Sequence, residues 1–435
     1  MALSAASCLH YWSSRYGHIP VIGGKPVHSR ASTARLIDIA SKQIVEVPAA
    51  TPRDTHLATI SGEERATLLL ESARTNELTY SDEFDNAAWS KSGSTVSANA
   101  TIAPDGTATA DKIVEDSTAG SAHDVRRGTT GGAGQKQAYS VFAKPAGRNW
   151  IYLRLIGGGG IDASTYFNVS TGAVGSVGTN HTAQIISLGD GWYRCQVIVN
   201  ADVNDFRIGL TTADATATYN GDGASGVFMW RAQHEKNVPN VTSAIGTTSA
   251  AVTRARDDLY WDYTPGPQAM MAYLRFIERG NAKVSDSRPF ILGTAGGDTG
   301  ARVAVLAAAS GFYQAAHNNG SSWGGFPELA VGPAIGDTVE FVVRLKSDGA
   351  IALIQSINGG AVTATADGTA NGLAAAWVGR RLYANNDNSG NYGGIEYAEI
   401  KIVKYADVAG ATTQTQMDEL RAFELGPNRE LLAAA

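Results

Sequence analysis

From residue 95 onward, hydrophobic and polar positions alternate one in two over short runs, the period of a half-buried β-strand. The alternation predicts strands at 95–102, 110–115, 137–143, 150–155, 165–168, 181–188, 192–200, 205–210 and 226–234. It is cleanest in Q-A-Y-S-V-F-A-K and W-I-Y-L-R-L, where one face is apolar or aromatic and the other polar. Between the runs lie P-D-G, P-A-G-R, S-T-G, G-D-G and G-D-G-A-S-G, which supply the positive-φ positions of tight turns. Strands at this spacing predict a jelly roll or a related two-sheet sandwich. A second set follows at 271–278, 301–307, 338–346, 351–357, 382–385 and 397–403, with S-D-G-A as a hairpin signal between the third and fourth. The one good helical stretch is 413–425, with Thr413 as its expected cap and Gly426-Pro427 as its stop.

The first 75 residues are less regular. Residues 35–47 alternate well enough for two short strands, and E-E-R-A-T-L-L-L-E at 63–71 suits a helical turn or a strand equally. Too short for a large core of its own, this stretch reads as a segment that packs on a larger particle or a neighbouring subunit, with a simple N-terminal extension of the first sandwich as the alternative. The stretch N-E-L-T-Y-S-D-E-F-D-N-A-A-W-S-K-S-G at 76–93 marks the boundary, with Leu78, Phe84 and Trp89 as apolar anchors among acids and amides. The expected fold is therefore mainly β: an irregular N-terminal anchor (1–75), two tandem jelly-roll or lectin-like β-sandwiches (76–255 and 256–435) and one short C-terminal helix. On that reading, deleting residues 1–75 leaves folded, soluble sandwiches.

Composition narrows the function. Hydrophobic residues make up 43% of the 435, enough for ordinary cores and against wholesale disorder. The net charge of -6, with no basic cluster, speaks against a nucleic-acid partner. No apolar run is long enough to cross a membrane as a helix, and the start M-A-L-S-A-A-S-C-L-H lacks the basic and apolar regions of a secretory signal. Cys8 and Cys195 form no disulfide framework, and Cys195 in W-Y-R-C-Q-V-I-V reads as a small core filler. Assembly in a host cytoplasm and release by lysis fit this pattern.

Six blocks occur in order: T-Y-S-D-E-F-D-N-A-A-W-S-K-S-G (79–93), A-P-D-G-T-A-T-A-D-K-I-V-E (103–115), Y-S-V-F-A-K (139–144), F-N-V-S-T-G-A-V-G-S-V (167–177), L-G-D-G-W-Y-R-C (188–195) and Y-N-G-D-G-A-S-G-V-F-M-W-R-A-Q-H-E (219–235). Together they resemble the carbohydrate-binding-module-like sandwich of tailed-bacteriophage and prophage virion proteins, chiefly tail fibres. A-T-L-L-L-E-S-A-R-T-N-E-L at 66–78 belongs to the same pattern. The C-terminal region resembles a laminin-G or concanavalin-A-like lectin domain, mostly through strand spacing. The resemblance implies a virion structural protein: a tail-fibre or receptor-binding subunit attached to other virion proteins through its N-terminal region and to host-surface glycans through its sandwiches. It further implies a homo-oligomer, a trimer by preference, and no enzymatic activity. The alternatives are a head fibre or capsid decoration protein and a tailspike-type polysaccharide depolymerase.

Candidate chemistry is sparse. Asp82, Glu83 and Asp85 are acids, but three within four residues before an apolar anchor read as a solvated turn, since a glycosidase pair comes from separate elements. The histidines lack metal-ligand spacing, no G-x-S-x-G occurs, and the G-G-G-G at 157–160 lacks the Lys-Ser/Thr of a phosphate loop. Sugar binding needs an aromatic platform edged by polar groups. Trp150, Tyr152 and Arg154 share one face of a strand and offer one; Trp323 and Tyr392, in loop-like contexts, offer others. No cofactor is implied. For calcium, Asn385 and Asp387 are the best oxygen ligands, with Asp222 second, although tight turns use the same residues.

Overall fold

The computed structural model describes residues 8–13, 17–19, 27–60, 63–132, 135–238, 240–260, 270–278, 290–293, 302–307, 312–318, 323–334, 336–346, 348–368, 381–383, 394–404 and 412–422. The fold is mainly β, and the described residues contain one α-helix. Two compact units divide the chain: Thr33–Glu46 with Ala73–Ala255, and Met1–Ser32 with Val47–Ser72 and Arg256–Ala435. The units are interleaved in sequence. Residues 1–75, expected as one separate region, are shared between them.

The 73–255 unit is a sandwich of two six-stranded antiparallel sheets. The first runs Ser94–Thr101, Ala110–Glu115, Gly226–Lys236, Lys136–Ala146, Tyr193–Asn200 and His181–Ser187 in spatial order. The second runs Ala173–Val174, Ile161–Asn168, Trp150–Gly157, Val203–Thr211, His123–Gly128 and Ser90–Ser92. All nine strands expected here are present. Ser90–Ser92, His123–Gly128 and Ala173–Val174 join them unforeseen.

Alternation decides what each face does. Tyr139, Val141, Val197, Val227 and Met229 of the first sheet meet Val125, Ile151, Leu153, Leu155, Phe206 and Ile208 of the second in one buried core. Phe84 and Trp89 close it, their rings 4.9 Å apart, with the Trp89 indole N–H donating to the Tyr80 carbonyl at 2.9 Å. Burying such side chains stabilises by about 1.5–3 kcal/mol each. Leu78, Phe84 and Trp89 are thus the anchors that the sequence suggests.

The first sheet has a second apolar layer on its outward face. Phe142 and Trp230 pack there with Leu188, Trp192, Ala244 and Ile44, the last from the hairpin Ala34–Ile37/Ile44–Val47. A bulge falls between the pairs Ser140–Gln233 and Phe142–Trp230, and Arg231, at φ 46, lies in that break in register next to Trp230. The Arg231 guanidinium lies 3.9 Å from the Trp230 ring centroid and pairs with Asp82 at 2.6 Å. Cys195 is buried in the core, as expected.

In the other unit, Gly394–Lys404 pairs with Met270–Ile277, Cys8–Ser13 and Glu63–Glu71. Thr338–Leu345, Ile351–Ile357 and Thr363–Ala364 continue that sheet. Trp323–Glu328, Tyr313–Asn318, Arg302–Ala307, Phe290–Gly293 and Arg381–Tyr383 form a second sheet. Phe276 and Phe341 of the first meet Tyr313 of the second, with centroids 6.5 and 5.0 Å away. The 63–71 stretch is therefore a strand, and residues 8–13 are sheet as well, not an irregular tether.

A buried ionic cluster binds these segments together. Asp257 accepts hydrogen bonds from Arg53, from Arg30 Nη1 at 2.7 Å and from the Glu71 backbone N–H at 2.9 Å, and Arg53 Nη1 donates to Glu71 Oε2 at 2.6 Å. Arg53 is fully buried. The helix is described over Thr413–Ala422, residues 423–425 of the expected helix lying outside the described residues, and Thr412 caps it through an oxygen that accepts from the Thr415 N–H at 3.1 Å. Thr413 is the first helical residue, not the cap.

Candidate functional site

The second sheet of the 73–255 unit sends its other face outward, and that face is polar. Trp150–Gly157 carries Ile151, Leu153 and Leu155 into the core, so Trp150, Tyr152 and Arg154 must point the other way. Strand register places two rows across this face. Asp124, Gly209, Tyr152 and Tyr166 stand side by side in one; Arg126, Arg207, Arg154 and Ser164 stand in the next.

The first row is closely packed. Tyr152 is fully buried although it lies on an outward face, because a glycine sits beside it. A Cβ on Gly209 would come within 2.0 Å of Tyr152 Cζ, so the ring occupies the space that any other residue would fill. The Tyr152 hydroxyl lies 3.4 Å from Asp124 Oδ2, and its ring is 5.8 Å from that of Tyr166. Asp124 is itself buried, and its Oδ1 has no hydrogen-bond partner among the described residues. Burial pushes the Asp124 carboxyl up, against the opposing pull of Arg207 and Arg126. Burial likewise pushes the Tyr152 phenol up and keeps it a neutral donor.

The second row is a ladder of like charge. Arg126 is directly opposite Arg207, which is directly opposite Arg154. Such neighbours repel unless carboxylates intervene. Asp162 takes Arg154 in a bidentate pair at 2.6 and 2.7 Å, and that hydrogen bonding holds the Asp162 carboxyl below its ordinary value. Asp205 accepts from Arg207 Nε at 2.8 Å. Arg126 is exposed and makes no hydrogen bond or ion pair among the described residues.

Of the expected platform, then, Trp150 and Arg154 reach solvent in part, and Tyr152 does not. Trp323 opens the strand Trp323–Glu328, paired with Asn318, and so does not sit in a loop. Tyr392, Asn385 and Asp387 lie outside the described residues. Asp222 is engaged by its own turn: Oδ1 accepts from the backbone of Ala224 and Ser225, and Oδ2 accepts from the Ser225 hydroxyl at 2.6 Å. Its oxygens serve the loop, as turn chemistry predicts. Among the tempting acids, Asp82 is the partner of Arg231, whereas Glu83 and Asp85 are exposed on the boundary stretch. Asp124 and Arg126 carry no signal in the sequence, because H-D-V-R-R-G holds a single strong apolar residue, Val125, and shows no alternation.

No family model matches this sequence, and no curated protein matches it. Among solved structures, the chain is similar to the tail fiber protein gp63.1 of an E. coli phage, at 11% identity and a TM-score of 0.22 over 79% of this chain and 41% of that one. It therefore spans about two fifths of that protein's length. It is also similar to domains LG4-5 of the mouse laminin alpha1 chain, at 9% identity and a TM-score of 0.18 over 68% of this chain and 81% of that one. At such TM-scores neither likeness carries weight, and the fold stands on its own sheets.

Chemically, the outward face offers fixed guanidinium–carboxylate pairs, the half-buried edge of Trp150 and a buried acid. These are hydrogen-bonding groups held in place by one another, suited to contacting a polar ligand.

Proposed function

We propose that the chain is a subunit of a bacteriophage tail appendage and that it binds host-surface glycans non-covalently through the outward face of the Trp150–Gly157 sheet. The observation that carries the glycan reading is the asymmetry of the sandwich. One sheet spends its outward face on Phe142 and Trp230 under a layer of the chain itself, whereas the other presents Trp150 and an in-register row of arginines, two of them paired with carboxylates. Sugar hydroxyls donate and accept, and paired charges of both signs meet both needs. The virion setting rests on the ordered sequence blocks and their resemblance to phage fibre modules. Weak sites repeated on a symmetric oligomer would act through avidity, so each need not bind tightly.

The test incubates purified full-length protein with host polysaccharide. Retention of the polymer with no release of oligosaccharide is the expected result; shortened chains in the supernatant would overturn a binding-only role in favour of a depolymerase. Labelling intact particles with antibody against the chain separates tail attachment, expected here, from a head fibre or decoration protein.

A further inference from the structure

Taking the glycan reading of this face as its basis, we infer that the ligand is an acidic polysaccharide and that Arg126 is the residue that takes its acid group. Charge complementarity within one row points there. Three guanidinium groups stand on adjacent strands, each directly opposite the next. Two are matched by acids on the same face, Arg154 by Asp162 at 2.6 Å and Arg207 by Asp205 at 2.8 Å. The third has no such partner. On the strand that flanks Arg126 the register places Ser90 opposite it and Ser92 opposite Asp124, so the edge supplies hydroxyls where the pattern calls for an acid. Asp124 feels the charge of Arg126 but does not fill the role: it is buried, burial outweighs that pull and disfavours its charged form, and among the described residues it makes no hydrogen bond or salt bridge with Arg126.

A ligand carboxylate, sulfate or phosphate lying along the row would complete the alternation and remove the repulsion that three neighbouring arginines impose. Non-specific attraction is a poor alternative source of affinity, because the chain as a whole carries a net charge of -6.

The experiment measures binding of the full chain to polygalacturonate, dextran sulfate and a phosphorylated mannan, with neutral dextran and neutral mannan beside them. Wild type, Arg126→Gln, Arg126→Lys and Arg35→Gln are compared; Arg35 is paired with Glu46 away from this face, so its variant removes the same charge elsewhere. The expected result is tighter binding of at least one acidic polymer than of the neutral ones, weakened by salt. Arg126→Gln should lower that affinity about tenfold, with partial rescue by Arg126→Lys and no effect of Arg35→Gln. The three acidic polymers distinguish carboxylate, sulfate and phosphate. Neutral polymers bound as tightly as acidic ones, or equal losses from Arg126→Gln and Arg35→Gln, would overturn the inference while leaving glycan binding intact. Binding of no polymer at all would overturn both.

Discussion

The Tyr152 ring occupies the space beside Gly209 that a side chain at that position would fill, 2.0 Å from where its Cβ would stand. Replacing Gly209 with alanine therefore forces the ring, which has no free volume of its own, out of its place. We expect Gly209→Ala to cost about 1–3 kcal/mol, the usual range for overpacking. In a Tyr152→Ala background the same change should cost much less. A thermal-denaturation double-mutant cycle reads the coupling, and strictly additive effects would show that the contact is not what constrains position 209.

Removing residues 1–75 should not yield two folded sandwiches. Cys8–Ser13 and Glu63–Glu71 pair with the Gly394–Lys404 strand, and Arg53 neutralises Asp257 in the interior of that unit. Arg53→Ala alone removes one of the two buried guanidinium partners of Asp257, for which about 3–5 kcal/mol is the expected loss. Urea denaturation of the point variant and solubility of the truncation check this. A soluble truncation with a cooperative transition for residues 256–435 would contradict it.

Acid should weaken the 73–255 unit before it affects most carboxylates. His234 stacks on Tyr139 at 4.4 Å, its Nε2 lies 2.8 Å from Gln137 Oε1, and burial, with Lys236 adding to it, pulls its pKa down to about 3. Burial pulls His181 down to about 4. Both are lowered below the unfolded value of about 6.5, so the unfolded chain takes up protons that the native chain refuses. Stability is full above about pH 6.5 and falls as pH drops toward those lowered values, by up to about 1.4 kcal/mol per pH unit for each histidine. The slope of melting temperature against pH between 6 and 4 should be shallower in His234→Gln. An unchanged slope would rule His234 out as a source.

Asp82 belongs to the architecture. Its carboxylate takes the Arg231 guanidinium in hydrogen bonds of 2.6, 3.0 and 3.3 Å, next to the bulge that interrupts the Gly226–Lys236 strand. Asp82→Ala should destabilise the unit by about 1–3 kcal/mol, the cost of leaving a largely buried charged donor unmatched. Glycan binding per folded molecule should not change. Loss of binding at full stability would show instead that this acid contacts the ligand.

Several of these features were legible in the residues and others were not. Nine strands between 95 and 234 follow from alternation, because a period of two is a local property that needs no partner to be seen. The strand His123–Gly128 does not, since one valine among polar residues carries too little signal. The 63–71 stretch suits a helical turn or a strand by pattern alone; what makes it a strand is its pairing with His56–Ile60 close by and with Gly394–Lys404, more than 300 positions away along the chain.

The sequence by itself determined that Trp150, Tyr152 and Arg154 share a face, because side chains alternate along any strand. Only the tertiary structure decided that this face is the outward one, that Tyr152 is buried on it beside Gly209, and that Arg154 falls in line with Arg207 and Arg126. Register between strands distant in sequence is set by the packing of their inward faces, Val125 against Ile208 and Ile208 against Leu153. The core chose that register to bury its apolar side chains, and the arginine row on the other side is its consequence.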